Sequence, residues 1–211
     1  MIDWLKNTSA QPVARLVLAH GAGAPMDSEF MNVMAEGLCE RRLDIWRFEF
    51  PYMAERRRGG TKRPPNRQPE LLACWRDALA EAADTGVPLL VGGKSLGGRM
   101  ASLVANEAPV RGLVCLGYPF HPAGKPENTR LKPLQALSAP TLIVQGTRDA
   151  LGSREDVAGY ELPAHLEFQW LEDGDHDFKP RVRSGYRQRE HWQRAVEVVA
   201  QWSRSIVEEA S

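Results

Sequence analysis

The sequence predicts an α/β fold: a mostly parallel sheet with helices on both faces and no large lid. Three observations carry this reading. Short apolar runs alternate with stretches of helical periodicity, the pattern of βαβ units. The apolar runs are nearly continuous, as strands buried on both faces require. The 211 residues contain no repeat and no linker, so one domain spanning 1–211 is expected.

The elements follow in order. Residues 14–19 (ARLVLA) form the first apolar strand. A helix over 27–41 carries Phe30, Met34 and Leu38 at four-residue steps, with Asp27 or Ser28 as its cap. A second strand over 44–50 stops at Pro51, and 52–69 reads as a basic loop containing Arg56, Arg57, Arg58, Lys62 and Arg63. A helix over 70–84 places Leu72, Trp75 and Leu79 together. The strand 88–92 leads into a helix over 96–106, and further strands lie at 110–118 and 141–145. Between those two strands, four prolines precede Leu134, which excludes a long lid helix. A short helix over 153–160, a last strand over 166–171 and a helix over 187–208 complete the chain. That helix carries the stripe Trp192, Val196, Val199, Trp202 and Ile206.

Charge narrows the function classes. Lys plus Arg and Asp plus Glu both total 27, so the formal net charge is zero. This gives no general argument for a nucleic-acid or membrane partner, although a local basic patch remains compatible with it. No apolar run reaches the ~20 residues of a membrane span, and residues 1–11 lack a signal-peptide pattern. Cys39, Cys74 and Cys115 are dispersed in apolar stretches and read as small core residues, without a disulfide or metal-ligand spacing. A cytoplasmic setting and no metal or organic cofactor are expected.

The chemistry concentrates in loops that follow strands. Gly93-Lys94-Ser95-Leu96-Gly97 matches G-x-S-x-G, directly after an apolar strand and before a helix. That placement forces a tight turn which exposes the serine at a helix N-terminus. A phosphate-binding loop fits poorly, because its first glycine would fall on Pro88. A dinucleotide loop also fits poorly, because Met26 occupies its third glycine position. The turn His20-Gly21-Ala22-Gly23 follows the first apolar strand, where the N–H of Ala22 can join that of Leu96 as an oxyanion donor. Asp149 follows the strand 141–145, and His176 follows 166–171.

These positions suit acyl transfer. Ser95 needs a base, His176 can take its proton and return it to a leaving group, and Asp149 can fix the imidazole tautomer. Asp173, Asp175 and Asp177 are nearer His176 in sequence, but adjacent loop side chains tend to diverge from the ring. An Arg148–Asp175 pair is expected to fix the loop. Gly21, Gly23, Tyr118 and His121 are candidates for lining the substrate site. His20 is expected to shape the oxyanion loop, His165 to be structural, and His191 to lie on the surface of the last helix.

Together, His20-Gly21-Ala22-Gly23, Gly93-Lys94-Ser95-Leu96-Gly97-Gly98, Gly117-Tyr118-Pro119, Gly146-Thr147-Arg148-Asp149 and Asp175-His176-Asp177-Phe178 resemble the compact, lid-less α/β-hydrolases near the dienelactone hydrolases. More narrowly, they resemble a bacterial set related to the human Tex30 and KANL3 hydrolase-like domains. The resemblance covers nearly the whole chain and implies an α/β-hydrolase fold with a Ser95–Asp149–His176 triad. It departs from dienelactone hydrolase in carrying Ser95 where that enzyme uses cysteine. The expected activity is cleavage of a small carboxylic ester or thioester through an acyl-serine intermediate. A peptidase or amidase on the same triad, and a non-catalytic hydrolase-like binding module, are the alternatives.

Overall fold

The computed structural model describes residues 2–83 and 86–209. Seven strands form one sheet in the order β1-β3-β2-β4-β5-β6-β7. They are β1 (Leu5–Asn7), β2 (Ala14–Ala19), β3 (Leu43–Phe48), β4 (Leu89–Lys94), β5 (Gly112–Leu116), β6 (Thr141–Gly146) and β7 (Leu166–Leu171). All pairings are parallel except that of β1, which runs antiparallel to β3 along one edge.

β2, β4, β5 and β6 are buried along their whole length, as their unbroken apolar runs predict. The helices are α1 (Glu29–Cys39), α2 (Pro51–Arg57), α3 (Gln68–Ala82), α4 (Leu96–Val104), α5 (Lys132–Gln135), α6 (Arg154–Ala158) and α7 (Gln188–Glu208). One apolar layer packs Phe48, Trp75, Met100 and Ile143 together; the other packs Met34, Leu38, Val114, Val196 and Trp202. Two cores on opposite sides of the sheet are what helices on both faces produce.

Several local expectations change. The 52–69 segment begins as a helix, because Pro51 takes the first helical position, where its missing N–H costs nothing. Residues 1–11 contain the short strand β1, whose three residues are too few to show a periodicity. Ser28 occupies the N-cap of α1 but its side chain caps nothing, while Asp27 pairs with Arg57 at 2.7 Å. α3 runs through Ala82, and Asp84, where its end was expected, lies outside the described residues. Cys74 and Cys115 are buried, but Cys39 is only half-buried. Between β5 and β6 the sole α-helix is the four-residue α5, and no described helix is long and apolar enough to cross a membrane.

Candidate active site

The strand order sets the site. β2 and β4 are neighbours, so the turns that leave their carboxyl ends lie side by side. β6 and β7 are neighbours on the far side of β5 from β4, and the loops after them leave at the same edge. Open parallel sheets gather ligands at this edge.

Ser95 joins β4 to α4 with φ 50° and ψ −109°. A β-carbon rarely adopts such a conformation, and it stores strain typical of functional turns. Its N–H donates to the Leu116 carbonyl at 3.0 Å, which ties the turn to β5. A side chain on Gly97 would strike the Ala19 carbonyl oxygen at 2.3 Å. Glycine is therefore required for α4 to start this close to β2. Leu96 is the first residue of α4, so its N–H has no acceptor within the helix.

The imidazole of His176 stands between two partners. Nε2 lies 2.9 Å from Ser95 Oγ, and Nδ1 lies 2.8 Å from Asp149 Oδ2. Asp149 is fully enclosed, whereas about a quarter of the His176 side chain is exposed, at 26%. An enclosed carboxylate facing Nδ1 holds a proton there and leaves Nε2 free to accept from a hydroxyl. The arrangement can therefore deprotonate Ser95.

Two residues that the sequence reading passed over build this geometry. Gln145, buried at the end of β6, donates from Nε2 to Asp149 Oδ2 at 2.9 Å. Its amide also bridges the Tyr118 backbone, with Oε1 accepting the Tyr118 N–H at 2.8 Å. Leu151 N–H donates to the other Asp149 oxygen at 2.8 Å. Lys94 is also buried, and its Nζ donates to the backbone carbonyl of His176 at 2.6 Å. Burial lowers the Lys94 pKa, against the pull of Asp177 and Asp149. A glutamine closing an apolar strand was the available signal for Gln145. Lys94 sits at the variable position of G-x-S-x-G and gave none.

The loop that carries His176 is fixed from outside. Arg148 pairs with Asp173 at 3.0 Å, not with Asp175 as expected, and Arg181 binds the same carboxylate. The hydrogen bonds from Arg181, helped by the charge of Arg148, hold the Asp173 carboxyl well below the usual carboxylate range. Asp175 instead turns into its own loop and accepts the N–H groups of Asp177 and Lys179, each at 2.9 Å. A loop this tight satisfies its own donors first. His191 is buried rather than on the surface, with Nδ1 2.9 Å from the Phe178 carbonyl. Its helix face packs under the His176 loop.

His20 fixes the turn after β2. Its Nδ1 lies 2.6 Å from the Gly21 carbonyl, which can only accept, so Nδ1 carries the proton. Its bare Nε2 accepts the Phe50 N–H at 3.1 Å. One neutral tautomer satisfies both contacts, and burial lowers the His20 pKa in agreement. Tyr52 donates to the Ala22 carbonyl at 3.0 Å. The Gly21 carbonyl and the Ala22 N–H share one trans peptide and point opposite ways. Holding the carbonyl on the His20 side therefore turns the Ala22 N–H away from it. A β-carbon on Gly21 would lie 3.8 Å from Ser95 Cβ, while Gly23 has open space around it.

The other two candidates lie deeper. Tyr118 is fully buried, and its hydroxyl donates to the Arg130 carbonyl at 3.0 Å. His121 is buried, with Nδ1 2.9 Å from the Pro122 carbonyl and Nε2 3.5 Å from Asp156. Among the described residues, no group of His, Cys, Asp and Glu is arranged to hold a metal ion.

Residues 12–204 match the model of a family described as an alpha/beta hydrolase domain. Solved structures share the fold. The esterase domain of a Rhodothermus marinus protein is 19% identical, with 96% of this chain and 92% of that chain covered and a TM-score of 0.70. A lid-less α/β serine hydrolase from Xanthomonas campestris is 16% identical, covering 95% and 89% of the two chains at a TM-score of 0.66. Dienelactone hydrolase from Anabaena variabilis is 21% identical, covering 98% and 90% at 0.67.

Proposed function

The chain belongs to the alpha/beta hydrolase domain family, and on that premise we propose that it is a serine-dependent esterase that cleaves a small carboxylic ester or thioester. The observation that carries this reading is the continuous relay Ser95 Oγ, His176 Nε2, His176 Nδ1 and Asp149 Oδ2, with both contacts under 3 Å. Within the family the chain sits with the compact set related to Tex30 and KANL3. It acts as one hydrolase domain on a small-molecule substrate in the cytoplasm, without cofactor, nucleic acid or membrane.

The reaction proceeds in two halves. As Ser95 Oγ attacks the carbonyl carbon, its proton passes to His176 Nε2, and Asp149 stabilises the imidazolium. The carbonyl oxygen becomes an oxyanion held by the N–H groups of Leu96 and Ala22, at the positive end of α4. Collapse breaks the bond to the leaving group, which takes the proton from Nε2 and departs as alcohol or thiol. Water then attacks the acyl-serine with His176 as base, releasing the acid and restoring Ser95. Gly21 and Gly23 border the substrate on the oxyanion side, while Tyr118 and His121, both buried, support the loop after β5 rather than meet the substrate as expected.

Aryl acetate and butyrate, offered to wild type and Ser95→Ala side by side, test the reading. Turnover by wild type and a loss of about 10⁴-fold or more in the variant is the expected result. Equal turnover by both would overturn it.

A further inference from the structure

A cleft of about 410 Å³ opens beside the nucleophile helix, lined by Arg99, Arg130, Lys132 and Gln135 among others. Its placement follows from the chain. Arg99 lies one helical turn after Ser95, about 6 Å along α4, and its N–H donates to the Ser95 carbonyl. The Arg99 guanidinium reaches Gln68 Oε1 at 3.3 Å, at the N-terminus of α3. Because α3 leads into β4, that terminus lies at the carboxyl edge of the sheet, which also carries Ser95. Arg130 is pinned by its backbone to the loop after β5, its N–H donating to the Phe120 carbonyl at 2.7 Å.

The charges in this cleft lack counter-ions. No carboxylate among the described residues pairs with Arg99, Arg130 or Lys132. The buried Nε of Arg99 has no hydrogen-bond partner among the described residues. Among the described residues the Arg130 guanidinium reaches only the Pro119 carbonyl, at 3.4 Å. Burial, and after it the neighbouring Arg99, lower the Arg130 pKa. In the basic segment after β3, Arg57 pairs with Asp27 and Glu49 and Arg63 with Glu55, and Arg56, Arg58 and Lys62 are exposed to solvent rather than partly buried. Concentrated, partly desolvated guanidinium groups with unused donors suit planar or tetrahedral oxyanions.

We propose that this cleft binds a phosphate-type oxyanion, with the two guanidinium groups as donors and Lys132 as an added charge. The anion is either a group carried by the ester or thioester substrate, in which case the inference rests on the hydrolase reading above, or a free ion. Arg99 and Arg130 then determine specificity without touching the reacting atoms.

Two measurements test it. Titrating Ser95→Ala protein with sodium pyrophosphate, at ionic strength matched with sodium chloride, reads the cleft without any turnover. Saturable binding, weakened about tenfold or more in the same protein carrying Arg130→Gln or Arg99→Gln, is expected. Binding no stronger than the salt control, or unaltered in both variants, would overturn the proposal, provided their circular dichroism matches the parent. The second arm compares kcat/KM for a phosphate-bearing ester with that for its neutral analogue in Ser95-containing protein. A ratio that falls about tenfold in Arg130→Gln assigns the anion to the substrate; a ratio that stays level assigns it to a free ion. Pyrophosphate binding with no ester turnover in any protein would contradict the hydrolase reading and leave the cleft standing.

Discussion

Two enclosed side chains set the protonation states on which the site depends. Asp149 faces Nδ1 of His176 and has all its oxygens engaged, by Gln145, Leu151 and His176. Asp149→Asn should lower kcat by about 10⁴-fold, because an amide cannot enforce the productive tautomer. Asp175→Asn and Asp177→Asn should each cost far less, since Asp175 serves its own loop and the Asp177 side chain is largely exposed. A kcat loss at Asp175 as large as that at Asp149, in folded protein, would reassign the acid.

His20 makes a claim about stability. Its folded-state pKa lies below the ordinary value of 6.5, because burial disfavours the charged ring. The unfolded chain therefore takes up the proton first as pH falls. The contribution of His20 is full above about pH 6.5 and declines as pH falls from there towards the folded-state pKa. Urea midpoints measured from pH 7.5 to 5 should fall more steeply for wild type than for His20→Asn. Parallel slopes would show that the ring does not titrate between the two states.

At the scale of elements, legibility tracked burial. β2, β4 and β6 were visible because a strand covered on both faces must be apolar throughout, and α7 because 21 residues repeat its stripe many times. β1 has three residues at an edge, and α2 is a single short helix begun by a proline, so neither offers a period to read. The G-x-S-x-G turn was legible as an element, since its glycines are sterically demanded, and loop order then suggested the partners of Ser95. What sequence could not supply was convergence: Lys94 meeting the His176 carbonyl, Gln145 meeting Asp149, and the choice of Asp173 rather than Asp175 for Arg148 all depend on how loops fold back in three dimensions.

The same turn predicts a conflict between stability and function. Ser95 holds φ 50° and ψ −109°, a conformation that a β-carbon strains and glycine tolerates better. Ser95→Gly should be more stable than Ser95→Ala by about 1 kcal/mol or more, although both lack the hydroxyl. Chemical denaturation of the two variants measures this directly. A glycine variant less stable than the alanine variant would show that the turn at Ser95 is not strained.

For the whole molecule, the order of strands brings the turn after β2 beside Ser95 and the loops after β6 and β7 back to it. Among the described residues the short α5 is the sole helix between β5 and β6, and no large helical cap stands over the partly exposed His176. A site this open offers little apolar enclosure for a long acyl chain, whose burial would otherwise contribute about 0.8 kcal/mol per methylene. Aryl esters graded by acyl length should therefore show kcat/KM highest at two to about four carbons. A rising preference towards long chains would contradict an open site.

The proposed triad has Ser95 as nucleophile, His176 as its base and Asp149 holding the imidazole in place. It is tested most directly by the rate and position of covalent labelling with a fluorophosphonate, read by mass spectrometry of the intact protein and its peptides. A single adduct on Ser95 is expected in wild type, none at that position in Ser95→Ala, and labelling of Ser95 slowed by orders of magnitude in His176→Ala and Asp149→Asn. An adduct on another residue, or Ser95 labelling that proceeds at the wild-type rate without His176, would contradict it.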